Sequence, residues 1–149
     1  MPKQGFKHSG KCFILFIVTF VLAFKIYAGE CASTTGVYSD MCYSERSGDI
    51  GGMEIFVVKS SGEYYVLFQN AQGTVEKPVL VKAKVENCII EFELPENGLL
   101  ISGKFKGVID KNGIKGRFEG YGKTSSYSNV ILKRQTSFWQ KHDGKENCK

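Results

Sequence analysis

Four carboxylates stand close together early in the chain, Asp40, Glu45, Asp49 and Glu54, interleaved with Tyr38, Tyr43 and Arg46. Two acids about 5–9 Å apart can cleave a glycosidic bond, one as proton donor and the other as base or nucleophile. Such acids can also hold calcium, but the alternating acid-x-acid-x-acid-Gly spacing of a calcium loop is missing. The simplest reading is a solvated loop in which Arg46 neutralises a neighbouring acid. Gly48-Asp49-Ile50-Gly51-Gly52 is rich in glycine, yet it lacks the order and the following Lys-Ser/Thr of a phosphate loop. Tyr38, Asp40, Tyr43, Glu45, Arg46 and Asp49 therefore form a candidate binding loop, with no catalytic residue, metal or cofactor assigned.

Histidine usage supports that restraint. Only His8 and His142 occur, one near the N-terminus and the other in the polar tail 140–149. Ser-His-Asp, Cys-His and multi-histidine metal sites have little to build on.

The first 28 residues read as a signal peptide. Lys3, Lys7 and Lys11 form a positive start, Cys12 to Phe24 is apolar apart from Thr19, and Ala28 offers a small residue at a cut before Gly29. The apolar run is 13 residues long, short of the ~20 that span a bilayer; retention as a signal anchor is the alternative. Lipid attachment at Cys31 is disfavoured by Glu30. The membrane is expected as a partner only through this segment, and the protein is expected to be periplasmic or secreted.

Export changes the charge argument. Of 20 basic residues Lys3, Lys7, Lys11 and Lys25 lie before the cut, and none of the 15 acids does, so residues 29–149 carry 16 against 15. Nucleic-acid binding, which needs a concentrated basic face, is not expected. Cys31, Cys42, Cys88 and Cys148 remain, enough for two disulfides with three pairings open. The expected pairing joins Cys42 to Cys88, pinning the acidic loop, and Cys31 to Cys148, joining the termini.

The elements that must position the loop are short strands. Val79, Val81, Ala83 and Val85 alternate with Lys82, Lys84 and Glu86, and Ile90, Phe92 and Leu94 alternate with Glu91 and Glu93. This period of two indicates strands with one buried and one wet face. Val37–Ser44, Met53–Lys59, Tyr64–Asn70 and Val130–Arg134 add further strands, and Ser137–Trp139 extends the last one or packs as a tail. The total is about eight in a single all-β domain, residues 29–149. The connections are too short for crossover helices, so an antiparallel meander closing into a small barrel is expected. A two-sheet sandwich is the runner-up.

An internal echo favours the barrel. Ile101-Ser102-Gly103-Lys104-Phe105-Lys106-Gly107 and Ile114-Lys115-Gly116-Arg117-Phe118-Glu119-Gly120 both read Ile-x-Gly-basic-Phe-charged-Gly around Asn112-Gly113. A type I′ turn centred on Asn-Gly places Gly107 opposite Phe118 and Phe105 opposite Gly120. Inward Gly103, Gly107, Gly116 and Gly120 then permit curvature beneath the rings, or leave room for a ligand. Lys104, Lys106, Lys115 and Arg117, with Glu119 among them, face outward as edge-protecting charges or as a dock for an acidic partner. Tyr64 and Tyr65 are adjacent, so one ring points away from the core, and with Tyr121 and Tyr127 it offers a further stacking surface for sugar or peptide.

The segments Tyr38-Ser39-Asp40-Met41-Cys42-Tyr43-Ser44-Glu45, Gly48–Glu54 and Leu132-Lys133-Arg134-Gln135-Thr136-Ser137-Phe138-Trp139 resemble small exported bacterial proteins of unassigned activity. In plan the chain also resembles lipocalin-like and avidin-like barrels. Lipocalins carry Gly-x-Trp on the first strand under a basic residue of the last, echoed here by Gly36-Val37-Tyr38 and Arg134. These likenesses imply a barrel and no particular activity. The expected function is an exported, non-enzymatic binding protein with a small ligand or protein partner at one rim. An inhibitor of an envelope or extracellular hydrolase is the alternative, followed by a carboxylate-dependent glycosidase.

Overall fold

Period-two alternation demands that one face of every strand be hidden, and a meander hides all of them at once by curling closed. The computed structural model of the chain does this within the compact unit Cys31–Lys149. It describes residues 33–96, 100–119, 129–141 and 148. The expected leader and its expected cut, Cys31, Asn97-Gly98, Gly120, Tyr121, Tyr127 and His142 lie outside the described residues.

The strands are β1 (Gly36–Ser39), β2 (Cys42–Tyr43), β3 (Ile50–Ser60), β4 (Glu63–Val75), β5 (Val79–Glu86), β6 (Ile89–Leu94), β7 (Gly103–Ile109), β8 (Gly113–Glu119) and β9 (Val130–Arg134). Each pairs antiparallel with its sequence neighbour from β3 to β9, and β1 bridges β3 and β9 to close the ring. The result is an eight-stranded barrel of β1 and β3 to β9, with β2 lying beside β3 beyond it.

The segment Val37–Ser44 is not one strand. It breaks at Asp40-Met41, where the Asp40 N–H donates to Met53 O (3.1 Å) and the Asp40 carboxylate takes the Met53 N–H (2.7 Å). The side chain replaces a ladder partner, so the strand steps sideways into β2. Gly52 faces this step with φ +94°, and a Cβ there would lie 2.6 Å from Asp40 O. Only glycine fits.

The echoed hairpin forms, but its register differs from the sequence expectation. Phe105 stands opposite Phe118 and Gly107 opposite Gly116. Asp110 is responsible. Its carboxylate accepts the N–H groups of Asn112 (2.7 Å) and Gly113 (3.0 Å), so the turn centres on Lys111-Asn112 and Asn112 never takes positive φ. The rings still lie over glycines, diagonally. A Cβ on Gly107 would meet Phe105 Cε1 at 2.8 Å, and one on Gly116 would meet Phe105 Cζ at 2.6 Å. The left-handed two-residue turns occur instead at Ser61-Gly62 (φ 51°, 83°) and Asn87-Cys88 (φ 48°, 66°).

Phe92 and Phe105 stack with centroids 4.9 Å apart, Phe105 and Phe118 also lie at 4.9 Å, and Phe68 meets Phe118 edge-on at 5.9 Å. This cluster fills the middle of the barrel, with Tyr38, Ile55, Val66, Ile90, Ile114 and Leu132 around it. Gly107 and Gly116 therefore serve curvature and ring packing.

Meander direction sorts the connections. The β3–β4, β5–β6 and β7–β8 turns share one end with the incoming segment Ser33–Thr35. The remaining connections, including the candidate loop after β2, leave from the other.

Candidate functional site

Beyond the barrel, β3 and β4 continue as a ribbon with β2 along its side, where Cys42 stands opposite Gly51 and Tyr43 opposite Ile50. Ser44–Asp49 closes this extension. The Ser44 N–H donates to Asp49 O and the Gly48 N–H to Ser44 O, both at 2.8 Å, and the Ser47 hydroxyl donates to the Ser44 hydroxyl at 2.9 Å. The base is fixed from the far end of the chain: Cys42 is disulfide-bonded to Cys148, and the Cys148 N–H donates to Tyr43 O at 3.2 Å. Such a bond is characteristic of chains oxidised outside the cytosol.

This corrects both expected pairings, Cys42–Cys88 and Cys31–Cys148. Cys88 is itself disulfide-bonded, but it occupies the Asn87-Cys88 turn at the opposite end of the barrel. Cys42 is stapled to the tail rather than to the β5–β6 turn.

The candidate residues divide. Tyr43 is half-buried against Met41, Ala71 and Phe138, while Glu45, Arg46 and Asp49 are exposed in one loop. Among the described residues none of those three charges makes an ion pair, so Arg46 does not neutralise its neighbours. Tyr38 belongs elsewhere. It is fully buried in the barrel, its hydroxyl donating to Thr34 O (2.8 Å) and its ring lying 4.7 Å beneath the Arg134 guanidinium. Gly51 and Gly52 are strand residues and form no phosphate loop.

Asp40 stands at the break between the two groups. Desolvation pushes its carboxyl above the usual range, only partly opposed by the Met53 N–H. A carboxyl whose folded pKa exceeds its unfolded value favours the fold at low pH, and that advantage is lost as pH rises through the folded pKa. Asp40→Asn keeps the acceptor for Met53 and removes the charge. The melting temperature of the variant relative to wild type is therefore expected to rise with pH across this interval. A pH-independent difference would show that Asp40 ionises as freely folded as unfolded.

Glu54, the fourth acid of the cluster, lies outside the candidate loop and holds a structural contact. Inward Met53, Ile55 and Val57 leave it facing out from the barrel, yet it is 0 % exposed because residues 135–141 cross over it. Its carboxylate accepts the Ser137 hydroxyl (2.7 Å) and the Phe138 N–H (2.8 Å). On either side, Gln135 Nε2 donates to Ser39 O (2.9 Å) and Trp139 Nε1 to Gln69 Oε1 (2.8 Å). Ser39, Glu54 and Gln69 are cross-strand neighbours on β1, β3 and β4. The C-terminal segment is thus a strap over a polar row, ending in a single 3-10 turn, Phe138–Gln140. Phe138 is buried beneath it and Trp139 remains 53 % exposed. With Glu54 engaged by the strap and Asp40 by Met53, each is tied by hydrogen bonds to its own part of the fold.

The lysine-rich wall is neutralised. Lys104 (3.3 Å) and Lys106 (2.7 Å) share Glu91, Arg117 pairs with Glu119 (2.6 Å), and Lys115 reaches Asp110 (3.7 Å). Hydrogen bonds from Lys106 and then Lys104 hold the Glu91 carboxyl below its ordinary range. This face is a lattice of alternating charge on strands paired on both sides, so the lysines protect no sheet edge here. No protein-family model, curated protein or solved structure matches the chain.

Proposed function

We propose that the chain is an exported, non-enzymatic binding protein that engages a protein partner through the loop Ser44–Asp49. One observation supports this above the others: Glu45, Arg46 and Asp49 are exposed charges without ion pairs among the described residues, on a loop whose base is tied by Cys42–Cys148. A pre-ordered loop loses little conformational entropy on docking, and an exposed arginine is a favoured interface anchor. The packed rings of Phe68, Phe92, Phe105 and Phe118 favour a partner at the rim over a small ligand inside. A projecting, stapled loop also suits the inhibitor of an envelope hydrolase, a special case of the same reading.

A photo-crosslinking residue at position 46, in the protein exported by its own host, tests this. A discrete adduct that is absent with the crosslinker at Lys115, and lost on Glu45→Ala/Asp49→Ala, is expected. A bare monomer from position 46 would remove the loop as a binding site.

A further inference from the structure

The barrel wall is not zipped along its whole length. β5 pairs with β4 from Val79 to Ala83, but its ladder to β6 covers only Ala83–Glu86 against Ile89–Phe92. Above Ala83 and Phe92 the two strands part. Val79–Lys82 on β5, and Glu93 and Leu94 on β6, lack each other as partners. Successive residues of a strand send their N–H and C=O groups to alternate sides. Of the four residues Val79–Lys82, Leu80 and Lys82 therefore face the fork; among the described residues Leu80 has no partner there, while the Ala83–Phe92 pairing at the root of the fork takes up one group of Lys82. An open cleft of about 350 Å³ lies over this fork, lined by Lys82, Ala83, Lys84, Glu91, Phe92, Glu93 and Lys104.

We propose that this fork is a second binding site, which takes a short extended peptide by strand addition to β5 at Val79–Lys82. The unpaired main-chain groups are the complement of another extended backbone, which supplies donors and acceptors at the same spacing. Around the cleft Lys82 pairs with Glu63, Lys84 with Glu86 at 3.1 Å, and Lys104 with Glu91 at 3.3 Å. The rim thus has no net preference for a small anion and suits a peptide of mixed polarity. Length is limited at both ends. Pairing with β6 resumes at Ala83, Pro78 precedes the unpaired run, and Leu100, whose N–H donates to Glu76 Oε1 at 3.0 Å, is tied beside the start of β5. A peptide of about four residues fits between these stops, and the same stops protect the edge from open-ended aggregation.

Amide exchange on the exported protein gives the first readout. Alternate amides within Val79–Lys82 are expected to exchange at least tenfold faster than those of Val66 and Phe68 on the neighbouring strand. Equal protection would mean that the fork is closed in solution, and the proposal would fail. The second readout pans a phage-displayed heptapeptide library on the same protein and remakes each recovered peptide with N-methyl groups on alternate amides. Recovered peptides are expected to protect Val79–Lys82, to bind at least tenfold more weakly when methylated, and to bind Glu45→Ala/Arg46→Ala/Asp49→Ala unchanged. No recovered peptide, protection elsewhere, or indifference to methylation would overturn the site. Loss of binding only in the loop variant would mean the peptides use the Ser44–Asp49 loop, sparing that reading while removing this one.

Discussion

Arg134→Met is expected to destabilise the fold by about 3 kcal/mol, the sum of a desolvated cation–π contact and charge-assisted hydrogen bonds. The barrel closes through β1, which meets β3 over four residue pairs but β9 over only Tyr38–Arg134 and Ser39–Lys133. Arg134 compensates for that short seam. Its guanidinium covers the Tyr38 ring, Nη1 donates to Thr35 O at 2.9 Å, and Nη2 donates to Ser33 O and the Tyr38 hydroxyl. Burial raises the Tyr38 pKa more than Arg134 lowers it, so the phenol stays protonated and keeps its bond to Thr34. Methionine retains much of the packing and none of the donors. At roughly 4 °C per kcal/mol for a domain of this size, the melting temperature should fall by about 12 °C. Arg134→Lys should recover little, because an ammonium cannot stack and fork together. Lys133→Met, exposed on the same strand, should change stability by less than about 0.5 kcal/mol. A loss under about 1 kcal/mol for Arg134→Met would show that the backbone seam closes the ring unaided.

The second large effect is expected at Glu54. Glu54→Ala leaves the buried Phe138 N–H and Ser137 hydroxyl without their acceptor, at a cost of about 2–4 kcal/mol. It should also free the strap, which has a built-in reporter: Trp139 is the single tryptophan of the chain. Its emission should move to longer wavelength as the Gln69 contact and the edge-on packing on Phe138 are lost. Glu54→Gln retains one acceptor oxygen and should lose about half as much, with a smaller spectral change. A full loss of stability with unchanged Trp139 emission would show that Glu54 supports the barrel wall and not the strap.

How much of this was legible beforehand follows from the range of each signal. Local alternation such as Val79–Val85 or Ile90–Leu94 reports which face is buried, because the neighbouring strand is close in sequence. The echoed hairpin was legible for the same reason, but its register turned on one carboxylate, Asp110, competing with an Asn-Gly signal. The loop around Arg46 was recognisable from its composition. Tyr38 reads as a rim residue in the sequence but is buried, since an aromatic beside acids looks alike whether it faces in or out. That Ser137–Trp139 packs as a tail is one of the two readings its composition allows, but its anchor is illegible: Glu54 is separated from Ser137 by most of the domain, and nothing in an isolated Ser-Phe-Trp announces its acceptor. The pairing of Cys42 with Cys148 is illegible for that reason too, since three pairings of four cysteines satisfy composition equally.

That staple also constrains the order in which the molecule can be made. Cys42 and Cys148 are 106 residues apart, and Cys88 emerges between them. In a chain threaded N-terminus first across a membrane, Cys42 meets Cys31 and Cys88 long before its proper partner appears. Every bond that joins neighbouring cysteines as they emerge and includes Cys42 is therefore non-native. Maturation must wait until the last strand has closed the barrel and brought the tail alongside, or must pass through thiol–disulfide exchange that undoes the early bonds.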